Sequence, residues 1–275
     1  MIIRKGYFNF NNIPRFSCPN CGTGQLRFEK DSLMSRLPAW IRKFPVSSNN
    51  YDEHHQKNID QIDIFENNRG ESIASFFLQC DHHYCKEAVI ASGLLKNETE
   101  TEYDNSEGEI WENDVANFYP TSFYPTVHLF ELPKKIPEKV RVELINSFSL
   151  FWISPPACGN AIRVAVERLM DERNIPISSK GKETALTLHQ RIEKFGEEYK
   201  ELSELLLAIK WIGNDASHTS DLYHSDVVLA YEFFERCLIE LFEESKIERL
   251  KNSASEINLQ RKPISKIQKA KVQNQ

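Results

Sequence analysis

The chain has 275 residues, 40% of them apolar, and a formal charge of −6, which is enough for a sizeable core and makes two domains the natural expectation. No apolar stretch approaches the roughly 20 residues that cross a bilayer, and the first residues lack a signal-peptide core. A membrane-spanning protein is thereby excluded and a cytoplasmic one expected. The charge is unevenly spread: residues 246–275 hold eight basic residues against Glu248 and Glu256, so this tail carries +6 and leaves −12 on the remainder. An acidic body excludes a protein that coats nucleic acid with its whole surface, while a basic, disordered tail could still touch phosphate.

From the N-terminus, the first feature is Cys18-Pro-Asn-Cys21-Gly22. Two thiolates at this spacing can bind one ion from a single tight turn, and Gly22 lets the backbone close so that amides point at sulfur. The second is Cys80-Asp-His82-His83-Tyr84-Cys85. Its wider gap contains two competing ligands, so Cys85, His82 or His83 could complete the set. β-favouring residues flank both pairs and predict two knuckle hairpins. Six cysteines, four of them in close pairs, favour metal over a disulfide framework. The expectation is one structural zinc held by Cys18, Cys21, Cys80 and Cys85, a closed tetrahedral site with no open position for catalysis. This N-terminal part, residues 1–96, reads as a small β-rich, zinc-ribbon-like domain with an insertion over 22–79 between the knuckles.

Residues 97–117 follow, dense in Glu and Asp. Mutual repulsion predicts an extended, solvated linker. From Ile136 the period becomes helical. Val140, Leu144, Phe148 and Phe151 mark one helix after Pro137. Ser154 opens a second, lined by Ala157, Ala161, Ala165 and Leu169 and stopped at Ile175-Pro176. Leu188 to Phe195 before Gly196 gives a short third, Leu202 to Ile212 a fourth, and Val227 to Leu241 a fifth. Short connections imply an antiparallel bundle over 118–245, so the fold class is α+β. Cys158 and Cys237 lie on helical segments and read as small buried apolar residues. His54, His55, His128, His189 and His224 have no ligand or triad spacing and stay unassigned.

The fourth helix ends in Gly213-Asn214-Asp-Ala-Ser-His218. If it continues through Gly213, Asn214 and His218 are four apart on one face. A buried amide–imidazole pair fixing helix packing is one reading and a catalytic pair the other. Arg163 and Glu167, also four apart, read as an intrahelical ion pair.

The Cys-x-x-Cys start, Tyr119-Pro120, Tyr124-Pro125, Ile136-Pro137, the helix carrying Ala161-Ile-Arg163-Val-Ala-Val-Glu167, and Gly213-Asn214 followed by His218 together resemble the domain-of-unknown-function family 4145, over about 118–243. That family is in turn similar to the helical HEPN superfamily. The resemblance implies a HEPN-like helical domain, a homodimer, contact with RNA or DNA, and a partner protein in a bacterial restriction or anti-phage system. In active HEPN ribonucleases an arginine and a histidine act together on RNA. Here Asn214 and His218 match the motif, whereas Gly213 stands in the arginine's position. The expectation is a noncatalytic or weakly active regulatory module, with a metal-independent dimeric endoribonuclease or a purely structural dimerisation bundle as the alternatives. Arg163 and Glu167 match a recurring family pair that could orient the Asn214/His218 site.

Overall fold

The computed structural model describes residues 2–36, 71–103, 110–178, 185–218 and 222–243, and within the basic tail only residues 251, 254–255 and 257–259. Most of the 22–79 insertion and of the 246–275 tail, together with His54 and His55, lies outside the described residues.

The N-terminal half is one antiparallel sheet. Its strands are β1 (Phe8–Asn9), β2 (Leu26–Phe28), β3 (Met34–Arg36), β4 (Glu71–Cys80), β5 (Ala88–Tyr103) and β6 (Ile110–Tyr124), in the order β1-β6-β5-β4-β2 with β3 also paired to β4. Along β4 burial alternates, with Ala74, Phe76, Leu78 and Cys80 inward and Ile73 and Phe77 outward, the period-2 pattern of a sheet with one covered face. The inner face is aromatic: Phe76 lies 4.9 Å from Phe118 and 5.1 Å from Phe28, centroid to centroid.

Two expectations are corrected here. The acidic stretch 97–117 is not a linker. It forms much of β5 and β6, paired in register from Asn97↔Ala116 to Tyr103↔Ile110. Among the described side chains, Glu98 accepts from Asn117 Nδ2 (2.8 Å) and from the Tyr119 hydroxyl (2.7 Å), and Asp114 accepts from Thr99 Oγ1 (2.9 Å). Ladder pairing and these cross-strand bonds outweigh repulsion. The zinc-ribbon-like unit of residues 1–96 is likewise not separate, because both knuckles sit at one end of this six-stranded sheet, which runs to Tyr124.

The helices are α1 (Glu138–Phe151), α2 (Pro155–Glu172), α3 (Leu188–Phe195), α4 (Lys200–His218) and α5 (His224–Phe242), each matching its expected position. Their ends follow local chemistry. The Ser154 side chain accepts from Ala157 N, Thr187 and Gln190 form a capping box, and Gly196 closes α3. α2 is central, packed against α1, α4 and α5. Where α1, α2 and α5 meet, the buried Tyr231 hydroxyl lies 3.0 Å from both Cys158 Sγ and Ser147 Oγ. Burial pushes the Cys158 thiol up to about 12, so it stays neutral. Cys237 is also fully buried, as expected.

Sheet and helices share one continuous buried cluster. Phe123 of β6 lies 5.0 Å from Trp152 at the end of α1, and Phe130, between sheet and helices, lies 5.2 Å from Phe148. The helical part begins at Glu138, not at 118. No helix among the described residues is long and apolar enough to cross a membrane.

Candidate functional site

The sheet register builds the cysteine cluster. Pairing of Leu26 with Cys80 sets the first knuckle, held between Phe16 and Leu26, beside the second, held between β4 and β5. The sulfurs of Cys18, Cys21, Cys80 and Cys85 all lie within 4.8 Å of one another, and the group could hold a metal ion. Cys18–Cys85 and Cys21–Cys80 are each 3.7 Å apart, too far for a disulfide of about 2.05 Å. Cys85 therefore completes the set. His82 and His83, the alternative fourth ligands, are exposed and outside the cluster.

Donors converge on the sulfurs. Gly24 N lies 3.3 Å from Cys21 Sγ, the backbone amides of Asn20 and Cys21 serve Cys18, and that of His82 serves Cys80. Gly22 takes a φ of +66° to close the first turn. Gly24 is needed for space, because a Cβ there would fall onto Cys80 Sγ and lie 2.8 Å from His82 Cβ. The two knuckles are also tied by Asp81, whose carboxylate accepts from Gln25 N (2.8 Å) and Arg27 Nε (3.1 Å). These partners hold its pKa below the usual range.

Acidities differ sharply across the cluster. The Thr23 hydroxyl and then the Gly24 amide hold Cys21 down at about 5. Burial, with smaller contributions from the neighbouring sulfurs, pushes Cys80 up to about 12, and burial also raises Cys18. Any ion held here would have to displace protons from these thiols.

The second candidate lies on the helical half. α4 continues through Gly213 to His218, so Asn214 and His218 keep their i, i+4 relation along the backbone. Asn214 is half-buried, and the side chain of His218 lies outside the described residues. The structure supplies a reason for Gly213 that the sequence did not. A Cβ at this position would sit 2.7 Å from Arg163 Cβ and 2.9 Å from the Gly159 carbonyl oxygen of α2, so the α2–α4 contact leaves no room for an arginine. Arg163 itself crosses this point and pairs with Glu167, Nη1 to Oε1, at 2.7 Å. Its proximity to Gly213 was not legible from i, i+4 spacing, which relates residues only within one helix.

Neither a curated protein nor a solved structure matches the chain. Residues 6–124, the sheet with its knuckles, match the family described as Domain of unknown function (DUF8608). Residues 146–269 match Domain of unknown function (DUF4145), so the helical half is similar to the family that its motifs suggested, over a stretch beginning and ending later than those motifs did.

Proposed function

We propose that the protein is a noncatalytic or only weakly active, nucleic-acid-associated module, HEPN-like in its helical half and braced by a structural zinc in its sheet half. It serves a bacterial defence system, of restriction or anti-phage type, as a cytoplasmic homodimer with a partner protein. The observation that carries the reading is the seat of Gly213. An active site of this type needs a cation to stabilise charge building on phosphorus, commonly the largest catalytic contribution. The α2 backbone fills the space such a side chain would occupy, and the adjacent guanidinium of Arg163 is engaged by Glu167. An imidazole at 218 could still move a proton, but little would hold the phosphate.

Zinc is favoured by the donor set and its spacing. Zn–S bonds of about 2.3 Å set tetrahedral sulfur–sulfur edges of about 3.8 Å, and two of the separations here are 3.7 Å. With four protein ligands the ion would have no open position. It would join hairpins and leave water unactivated.

The reading is tested by incubating purified full-length protein and its His218→Ala variant with single-stranded and structured RNA. Neither is expected to cleave, and the variant should lose on the order of 1–3 kcal/mol if it leaves the Asn214 amide short of a partner. Cleavage by the parent protein that disappears in a folded His218→Ala variant would overturn the proposal. It would favour instead a dimeric endoribonuclease drawing its cation from Arg163, a reading supported by the contact of that side chain with Gly213.

A further inference from the structure

The second knuckle carries more than its two ligands. Because Cys85 completes the sulfur cluster, the residues between it and Cys80 are released from metal duty, and His82, His83 and Tyr84 all stand exposed. Tyr84 is 89% exposed, the most of any large hydrophobic side chain among the described residues. Tyr84 neighbours both imidazoles: its ring centroid lies 4.8 Å from that of His83, edge to face, and 6.3 Å from that of His82. The turn beneath them is fixed at both ends by cysteines of the cluster and internally by the Cys85 N to His82 O hydrogen bond of 3.1 Å. Lys86 follows, exposed, with φ at +52°. Asp81, the acidic residue of the turn, has its carboxylate drawn toward Gln25 and Arg27 in the first knuckle.

We propose that this aromatic tip, Tyr84 with His82 and His83 flanked by Lys86, is a docking site for single-stranded nucleic acid. It rests on the nucleic-acid-associated reading above and places that contact on the metal knuckle instead of the helical motif. Single strands are held by rings on which bases stack and by cations that follow the backbone. The tip offers both on a scaffold already ordered by the sulfur cluster, so little ordering entropy is lost on binding. Stacking tolerates any base, so the site should show little sequence preference. RNA and DNA share this chemistry, and only contacts to the 2′-hydroxyl would separate them.

The test uses full-length protein of verified metal content and fluorescently labelled 12-nucleotide single strands of RNA and of DNA, read by anisotropy near physiological ionic strength. Tyr84→Ala should weaken binding about 5- to 150-fold, the equivalent of one lost stacked base. Tyr84→Phe, which keeps the ring, should bind like the parent. Lys86→Gln should reduce the salt dependence by about one phosphate contact. The basic tail contributes the same background to every variant. Equal binding by Tyr84→Ala and the parent would overturn the docking site while leaving the nucleic-acid-associated reading intact. Absence of binding by the parent protein would overturn both, as would a protein partner that depends on Tyr84 when no oligonucleotide is bound.

Discussion

The two halves of the molecule each bring a short sequence motif to a crowded point, and at each a glycine permits the crowding. In the knuckles, Gly24 lets Cys80 approach, and the convergence is of like ligands, four sulfurs gathered from distant parts of the chain. On the helices, Gly213 lets α2 approach, and what converges is backbone and the aliphatic part of Arg163. The first closeness assembles donors for an ion, whereas the second excludes the group that phosphate chemistry would need. A motif made of ligands is thus confirmed or refuted by its own geometry. A motif made of one imidazole and one amide depends on what the neighbouring helix contributes.

The sheet half should depend most on the metal. Removing the ion with a chelator, or Cys80→Ser, should unfold the sheet half while α1–α5 keep much of their far-ultraviolet helical signal, and elemental analysis should fall from one zinc per chain to none. In isolated fingers structural zinc contributes about 10–16 kcal/mol of apparent binding energy, so this is the largest expected effect. Loss of helix and sheet together in one transition would mean that the shared core, and not the ion, governs the stability of both halves. Reloading the metal-free protein near pH 8 should release protons, because free cysteine thiols are largely protonated there and must lose the proton to bind an ion. Calorimetry in buffers of different ionisation enthalpy measures that release.

The helical side of the comparison sharpens with Gly213→Arg. Restoring the residue type of the active motif should destabilise the protein by roughly 1–3 kcal/mol, the usual range for overpacking, and should confer no RNA cleavage. A stable Gly213→Arg variant that cleaves RNA would show that the helices can part and that the glycine alone silences the site. Tyr231→Phe tests the neighbouring α1–α2–α5 junction. Losing a hydroxyl shared with Ser147 and Cys158 should cost about 0.5–1.5 kcal/mol in chemical denaturation.

The smallest effect expected is on pH dependence. Burial lowers the pKa of His224 and of His128 below the ordinary histidine value. The unfolded chain therefore binds more protons as pH falls through the ordinary value toward the folded ones, and stability declines across that window. Among the described residues His224 Nε2 is buried without a hydrogen-bond partner, so protonation there would leave a donor unpaired. The thermal midpoint should drop modestly between pH 7.5 and 5.5, and by less in a His224→Gln variant.

Legibility from sequence differed between the halves for physical reasons. Helix faces were readable because Val140, Leu144 and Phe148 repeat at the helical period and Ser154 and Gly196 are local start and stop signals whose partners lie within four residues. The cysteine set was readable because its two close pairs, Cys18/Cys21 and Cys80/Cys85, stand out along the chain. The sheet was not, since β5 and β6 owe their pairing to residues some 20 positions apart, such as Glu98 with Asn117 and Tyr119. Read along the chain, Glu98 is one more repelling charge; read across the ladder, it is an acceptor with two donors. The fourth ligand stayed open between Cys85, His82 and His83 for a related reason, because only the turn geometry puts Cys85 inward and both imidazoles outward. The seat of Gly213 needed a second helix to be seen at all.

An ion that stayed bound to these cysteines would also act on the chain when it is unfolded. It would tie Cys21 to Cys80 across 58 intervening residues, making that whole stretch a closed loop. Closure entropy rises only with the logarithm of loop length, and doubling the loop costs about 0.6 kcal/mol. The constraint such an ion would place on the unfolded chain would therefore change little if the stretch between the knuckles were longer or shorter.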